Sequence, residues 1–203
     1  MASAIPGELR LSPATTERLH TLVVELKRWN PAVNLVARST LADAWTRHVL
    51  DSIQLLDHAP ATARVWGDLG SGGGFPGLAV AITAAETHPD LRVVLIESDQ
   101  RKAVFLRETA RMLGVAVAVH GRRVEDVPPL CADVVSARAL APLPALWSLA
   151  YRHLAPGGVG LFLKGKGHMA ELEQARAQAP IVAEVFSSRT SADGAIVRMR
   201  LRD

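Results

Sequence analysis

Apolar positions recur along this chain with two different periods. Leu19, Leu22, Val23, Leu26 and Trp29 follow at intervals of three and four residues, the spacing of one helix face. Ser12-Pro13 ahead of them supplies a cap and a first-turn proline, and Asn30-Pro31 predicts the stop. A second helix is predicted from about Thr40 to Leu56, with Trp45, Val49, Ile53 and Leu56 on one side and His58-Ala59-Pro60 ending it. From Arg64 the pattern alternates. Apolar runs at about 64–69, 91–97, 115–119, 132–137 and 159–164 predict strands. Helices are predicted at about 76–86, from the Asp99 cap to Gly114, from Pro142 to His153 where Pro156-Gly157-Gly158 breaks it, and near 168–179. Two last strands, about 181–187 and 195–201, flank a polar turn with Asp193-Gly194. Alternating strands and helices imply an α/β fold, a parallel sheet covered on both faces, with the closing hairpin adding an antiparallel strand. Residues 1–63 then form a helical N-terminal extension and 64–203 a ligand-binding domain, whose ligand belongs at the carboxyl ends of the strands.

Composition narrows the picture only slightly. A hydrophobic content of 49% in 203 residues suffices for one core. Residues 1–63 carry six basic and six acidic side chains, so the net +3 lies wholly after residue 63; it permits nucleic-acid binding without arguing for it. Cys131 is the only cysteine, so no intrachain disulfide forms, in agreement with a reducing cytoplasm. The seven histidines show no metal-ligand spacing, and no metal is expected. Met1 to Arg10 lacks the apolar core of a signal peptide. The apolar stretch 139–150 is too short to span a bilayer and contains Pro142 and Pro144.

The chemistry concentrates at residues 68–77, Asp-Leu-Gly-Ser-Gly-Gly-Gly-Phe-Pro-Gly, between the first predicted strand and its helix. Gly70, Gly72 and Gly74 let the backbone turn sharply and approach a ligand, and the helix N-terminus aims free N–H groups at it. Glu97, twenty residues after Gly77 and at the end of the second strand, is placed to accept hydrogen bonds from ribose hydroxyls. Gly72-x-Gly74-x-x-Gly77 also satisfies a dinucleotide fingerprint. Against that, the Asp68 carboxylate suits a cationic amine better than a pyrophosphate, and Pro76 removes a backbone donor that a diphosphate would use. Both features fit S-adenosylmethionine, which has a ribose, an ammonium and a sulfonium but no phosphate.

Other segments meet the same geometric test. Arg123-Val124-Glu125-Asp126 follows the third strand, with a solvated charged turn as an equal alternative. Arg138 ends the fourth strand, where a partly buried guanidinium needs a partner. Lys164-Gly165-Lys166 ends the fifth and holds two of only four lysines, cations suited to a substrate phosphate or simply solvated. Arg198, Arg200 and Arg202 alternate along the last strand, whose end lies at the sheet edge opposite the cofactor; a solvated face explains them better than an RNA stripe. In the extension, Arg47-His48-x-x-Asp51-Ser52 spaces His48 and Asp51 three apart and Arg47 and Asp51 four apart, so both pairs can meet on a helix surface. Spacing alone leaves that motif undecided.

Taken together these residues resemble the glucose-inhibited division protein B family, the 16S ribosomal RNA guanine-N7 methyltransferases (small-subunit methyltransferase G). The resemblance covers about residues 18–166 strongly and the final hairpin loosely. It is carried by Trp29-Asn30-Pro31-Ala32-Val33-Asn34-Leu35, Arg47-His48-Val49-Leu50-Asp51-Ser52, Asp68 to Gly77, Arg123-Val124-Glu125 and Arg138-Ala139. It implies the seven-stranded class I methyltransferase fold, S-adenosylmethionine as cofactor, and contacts to it from Gly70, Phe75, Val124, Glu125 and Arg138. It also implies functional roles near the mouth of the site for Arg47, His48, Asp51 and Ser52. The family commonly has threonine after Asn-Leu; this chain has Val36, and no role is assigned there.

Guanine N7 has an in-plane lone pair and no proton to lose, so its methylation needs no general base, and the sequence offers no evident nucleophile–base pair. The chain is thus expected to be a cytoplasmic, monomeric S-adenosylmethionine-dependent enzyme acting on a guanine N7 of small-subunit ribosomal RNA. Its alternatives are a methyltransferase with another substrate, an NAD-dependent oxidoreductase, and an inactive methyltransferase fold serving as a binding protein.

Overall fold

The computed structural model describes residues 11–202; the stretch Met1 to Arg10 lies outside the described residues. The first helix, α1 (Pro13–Val33), opens where the sequence places it: the Ser12 hydroxyl accepts the Thr15 N–H at 3.2 Å. It does not stop at Pro31. It runs through the proline to Val33, and Asn34, in the left-handed region at φ 54°, caps it by donating to the Asn30 carbonyl. A proline in the last turn removes only one hydrogen bond, and Asn is among the few residues that accept a positive φ.

The second predicted helix is a succession of turns of different pitch. A 3₁₀ turn (Arg38–Thr40) precedes a six-residue π-helical stretch (Trp45–Leu50), one α turn, α2 (Asp51–Ile53), and a 3₁₀ stretch (Gln54–His58). The remaining helices are α3 (Gly77–Thr87), α4 (Gln100–Leu113), α5 (Leu143–Tyr151) and α6 (His168–Gln178). Asp99 caps α4 by accepting from the Arg101 and Lys102 N–H groups, and Gly114 ends it at φ 64°.

Seven strands form one sheet: β1 (Val65–Leu69), β2 (Arg92–Ile96), β3 (Val117–His120), β4 (Ala132–Arg138), β5 (Leu154–Lys164), β6 (Ile181–Ser187) and β7 (Ala195–Leu201). Their order is β3-β2-β1-β4-β5-β7-β6, with β7 antiparallel to both its neighbours. β5 begins at Leu154, five residues before the expected start: Leu154 already pairs with Ala132, and Pro156-Gly157-Gly158, with Gly157 at φ 77°, is a bulge before pairing resumes between Val159 and Val134.

One face of the sheet is covered by α1, the 45–56 segment, α3 and α4, packed on Trp66, Leu95, Val134 and Leu161. The other is covered by α5, α6 and the turn near Val124, packed on Leu69, Val135 and Phe162. The switch in strand order falls between β1 and β4, and their carboxyl ends frame the site. Because β7 is antiparallel, its first residue, Ala195, pairs with Lys164 at the end of β5. The turn between β6 and β7 is therefore on the site's edge, and the arginine-bearing end of β7 is on the opposite one.

Candidate active site

The glycine turn leaves β1 with Gly70 at φ 68° and Gly72 at φ 51°, values that side chains resist. The Gly70 and Ser71 N–H groups both bond the Ile96 carbonyl at 2.9 and 3.0 Å, tying the turn to the end of β2. Against it lies the segment after α1. Asn30 holds that segment: its amide nitrogen donates to the Val36 carbonyl at 3.1 Å and its oxygen accepts the Val36 N–H at 2.8 Å. A Cβ on Gly73 would sit 3.3 Å from Leu35 and from Val36. The turn and the segment enclose a cavity of about 490 Å³ with Val36, Gly70, Gly72, Phe75, Glu97 and Arg138 among its walls.

Glu97 is buried at the cavity's edge. One of its oxygens accepts the Gly72 N–H at 2.8 Å and the other the Asp99 N–H at 2.8 Å. Each keeps a lone pair for a ligand hydroxyl. Asp68 is placed otherwise than its sequence position implied. It is fully buried; Oδ2 accepts the Gly77 N–H at 3.1 Å and Oδ1 the Ser136 hydroxyl at 2.6 Å, which in turn accepts the Trp66 indole N–H at 2.8 Å. Burial pushes its carboxyl up to about 6, partly opposed by those hydrogen bonds. Asp68 thus fastens the start of α3 to β1 and β4 and does not face the cavity. Gly74, at φ 87°, packs on Leu78 and likewise shapes the turn from behind. Val124 is buried and receives a bond from His153 at its carbonyl, while Glu125 is exposed beside Arg123. Both follow β3 at the correct edge but stand off the cavity wall.

Arg138 and His48 form the partition of the site. The Arg138 guanidinium donates to the Arg47 carbonyl at 3.1 Å and to His48 Nδ1 at 2.6 Å, and lies 5.4 Å from the centre of the Phe75 ring, on which His48 stacks. An arginine has no lone pair to offer, so His48 Nδ1 is the acceptor. His48 Nε2 therefore carries the proton and donates to the Thr40 hydroxyl at 2.8 Å, which donates to the Ala37 carbonyl at 2.7 Å. Burial, then the Arg138 and Arg47 cations, lower His48 from 6.5 to about 4. The ring is held neutral with both nitrogens engaged.

Beyond this partition lies a second cavity of about 260 Å³ that shares Thr40, His48, Arg138 and Ala139 with the first. Its remaining walls include Arg47, Asp51 and the β6–β7 turn. Asp51 meets neither Arg47 nor His48, as helical spacing had implied. The wide π turn re-aims the segment, and Asp51 Oδ1 accepts from Gln54 at 2.9 Å, Ser188 at 3.1 Å and Thr190 at 2.6 Å. Asp57–Arg189 and the His58–Phe186 stack continue this seam. Arg47 is exposed and makes no ion pair among the described residues. Ser52 is fully buried and spends its hydroxyl on the His48 carbonyl, so it is not at the mouth.

The two lysines separate. Lys164 is 11% exposed, 2.7 Å from Glu171, and donates to the Ala141 carbonyl at 3.1 Å. Glu171 also accepts the Leu143 N–H. Lys164 therefore pins the loop after Arg138 and has little reach left for phosphate. Lys166 is exposed beside Asp193 at 3.1 Å. Sequence reasoning missed Thr40, Lys102, Ser188 and Thr190. Thr40 and Lys102 line the first cavity. The two turn residues carry no local signal, since their partner lies more than 130 positions away. A larger cavity of about 690 Å³ lies at the opposite sheet edge, beside Trp147 and the start of β5, and holds none of the candidate residues.

Residues 15–195 match the model of the family described as rRNA small subunit methyltransferase G. A relative named ribosomal RNA small subunit methyltransferase G, from Cereibacter sphaeroides, is 49% identical over 200 residues, covering 98% of this chain and 97% of its own. Among solved structures, the ribosomal protein L11 methylase from Lactobacillus delbrueckii subsp. bulgaricus superposes with a TM-score of 0.63 at 17% identity, over 77% of this chain and 79% of its own. The O-methyltransferase TomG from Streptomyces achromogenes, in complex with SAM, gives 0.58 at 16% identity, over 96% and 92%. Those two likenesses show the class I methyltransferase fold.

Proposed function

We propose, because the chain belongs to the rRNA small subunit methyltransferase G family, that it transfers a methyl group from S-adenosylmethionine to N7 of one guanine in small-subunit (16S) ribosomal RNA. The observation that carries this reading is the pair of adjoining cavities divided by Arg138 and His48. The first fits the cofactor. Its glycine turn admits a ligand against bare backbone, and Glu97 is a buried carboxylate with lone pairs free for ribose hydroxyls. When bound there, S-adenosylmethionine supplies an electrophilic methyl group. Phe75 and Arg138 line the same space, and the ligand rests against them. The cofactor's ammonium is not held by Asp68, whose oxygens are turned inward.

No side chain has to remove a proton. Guanine N7 brings its own lone pair, and His48 has none to spare, since Arg138 occupies Nδ1. The residues around the partition act by position, keeping acceptor and methyl group in line and water out. The target guanine reaches them unstacked from its RNA. The extension up to residue 63 supplies half of that approach through Arg47, His48 and Asp51. No helix among the described residues is long and apolar enough to cross a membrane, and the setting we infer is the cytoplasm, with the chain acting as a monomer.

The test uses purified protein, labelled S-adenosylmethionine and small ribosomal subunits from a strain lacking the gene. One N7-methylguanine is expected, read as a single strand break after mild reduction and aniline treatment. Replacing that guanine by its 7-deaza analogue removes the nucleophilic nitrogen and abolishes labelling. Label that persists on the 7-deaza RNA, or that appears only on protein, refutes the reading.

A further inference from the structure

The second cavity has a polarity that selects its occupant. Asp51 Oδ1 is saturated by Gln54, Ser188 and Thr190, yet Oδ2 accepts no hydrogen bond among the described residues. The residue lines this cavity and not the first. The wall facing it is the partition, where Arg138 spends donors on the Arg47 carbonyl and His48 and feels the Asp51 charge without an ion pair to it. A cation-bearing wall and an anionic oxygen thus confront each other across a gap with Ala139 and Leu163 among its sides. Its volume, about 260 Å³, falls just below the ~300–1,000 Å³ of ordinary small-molecule sites, room for one base and not for a nucleotide.

Of the RNA bases, guanine has the complementary edge. Its N1–H and exocyclic amine are adjacent donors for one carboxylate oxygen, and its O6 is an acceptor. Adenine offers an acceptor at N1, which a carboxylate repels. With N1–H and N2 turned toward Asp51, N7 lies across the purine, toward the residues shared with the first cavity. We infer that the 260 Å³ cavity receives the target guanine and that the free Asp51 Oδ2 reads its N1–H and N2 amine. The inference rests on the methyltransferase function proposed above and assigns the base selectivity of that site. The Oδ1 bonds have a part in it: they fix the carboxylate to the β6–β7 turn, so that Oδ2 points one way only.

The test compares guanosine with inosine, which lacks the N2 amine, at the methylated position of reconstituted small subunits, for wild type and Asp51→Asn. The substitution keeps an oxygen for Ser188 and Thr190 and puts a donor where Oδ2 was. Wild type is expected to favour guanosine by roughly 10-fold in kcat/KM. Asp51→Asn is expected to lose roughly 10- to 100-fold on guanosine, with cofactor affinity unchanged and the guanosine-to-inosine ratio near one. A ratio near one in wild type overturns the inference. So does a loss in Asp51→Asn that leaves the ratio intact, which marks Asp51 as merely holding the turn. If Asp51→Asn melts early, Thr190→Val decides: it removes one Oδ1 bond and leaves those from Gln54 and Ser188 to hold the carboxylate, so its ratio must stay that of wild type, and a ratio near one there assigns selectivity to the turn and overturns the inference. Absence of any N7 label from wild type is a different failure, that of the enzymatic reading itself.

Discussion

The two cavities are walled by different materials. The first has one side of bare backbone, the Gly70 to Gly73 turn. Its turn bonds to β2 through the Gly70 and Ser71 N–H groups, and Glu97 answers two further N–H groups within one strand–loop unit. The second draws its walls from distant parts of the chain, Arg47, His48 and Asp51 with Arg138, Lys164 and Ser191, and behind it a seam of side chains from Gln54, Ser188 and Thr190 holds the Asp51 carboxylate. Backbone walls have fixed geometry and tolerate little added volume. Side-chain walls can be rebuilt one residue at a time. A cofactor that never changes suits the first kind, and a substrate that must be told from its analogues suits the second.

Added volume is tolerated least at Gly77. A Cβ there meets Leu95 at 2.4 Å and Asp68 at 2.6 Å, so Gly77→Ala is expected to lower stability by about 3 kcal/mol, read by thermal or urea unfolding. Glu97→Ala unpairs the Gly72 and Asp99 N–H groups. It should weaken the cofactor by about 2 kcal/mol, roughly 30-fold by titration calorimetry.

The partition gives a pH test. His48 is depressed from 6.5 to about 4, so the unfolded chain binds its proton first. The stability tied to neutral His48 is fully present above pH 6.5 and is lost as pH falls toward 4. Asp68 acts in the opposite sense. Its carboxyl is raised from 3.8 to about 6, so its share is present at low pH and lost as pH rises through that window. Comparison with His48→Gln isolates the histidine. Between pH 7 and pH 5, wild type should lose about 2 kcal/mol more than the variant in urea unfolding. The smallest effect belongs to the seam behind the second cavity. Thr190→Val removes one bond to Asp51 and should cost ~1 kcal/mol of stability while leaving cofactor affinity unchanged.

This contrast also decides what the sequence discloses. The Asp99 cap, the Gly114 stop and the 68–77 turn are legible because partners lie within a few residues of one another, and the same holds for the strand–helix alternation. Glu97 was legible because a strand end fixes where its side chain goes. The 45–58 segment was not, since Trp45, Val49, Ile53 and Leu56 keep one face apolar whether the turns are α, π or 3₁₀. Asp68 sits at the expected position, but only the register placing Ser136 beside it shows that its carboxylate turns inward. Lys164 resembled a free cation until α6 brought Glu171 against it.

The Asn30 amide that grips Val36 has a chemical hazard of its own. Asparagine side chains age when the backbone nitrogen of the following residue loses its proton and closes a ring onto the side-chain carbonyl, releasing ammonia. Here the following residue is Pro31, whose nitrogen carries no proton. The proline that the helix tolerates without need thus blocks that route of decay at the one amide holding the cavity wall. Pro31→Gly would keep the wall when fresh and set it on a clock, one visible in stored protein as a one-dalton gain at Asn30.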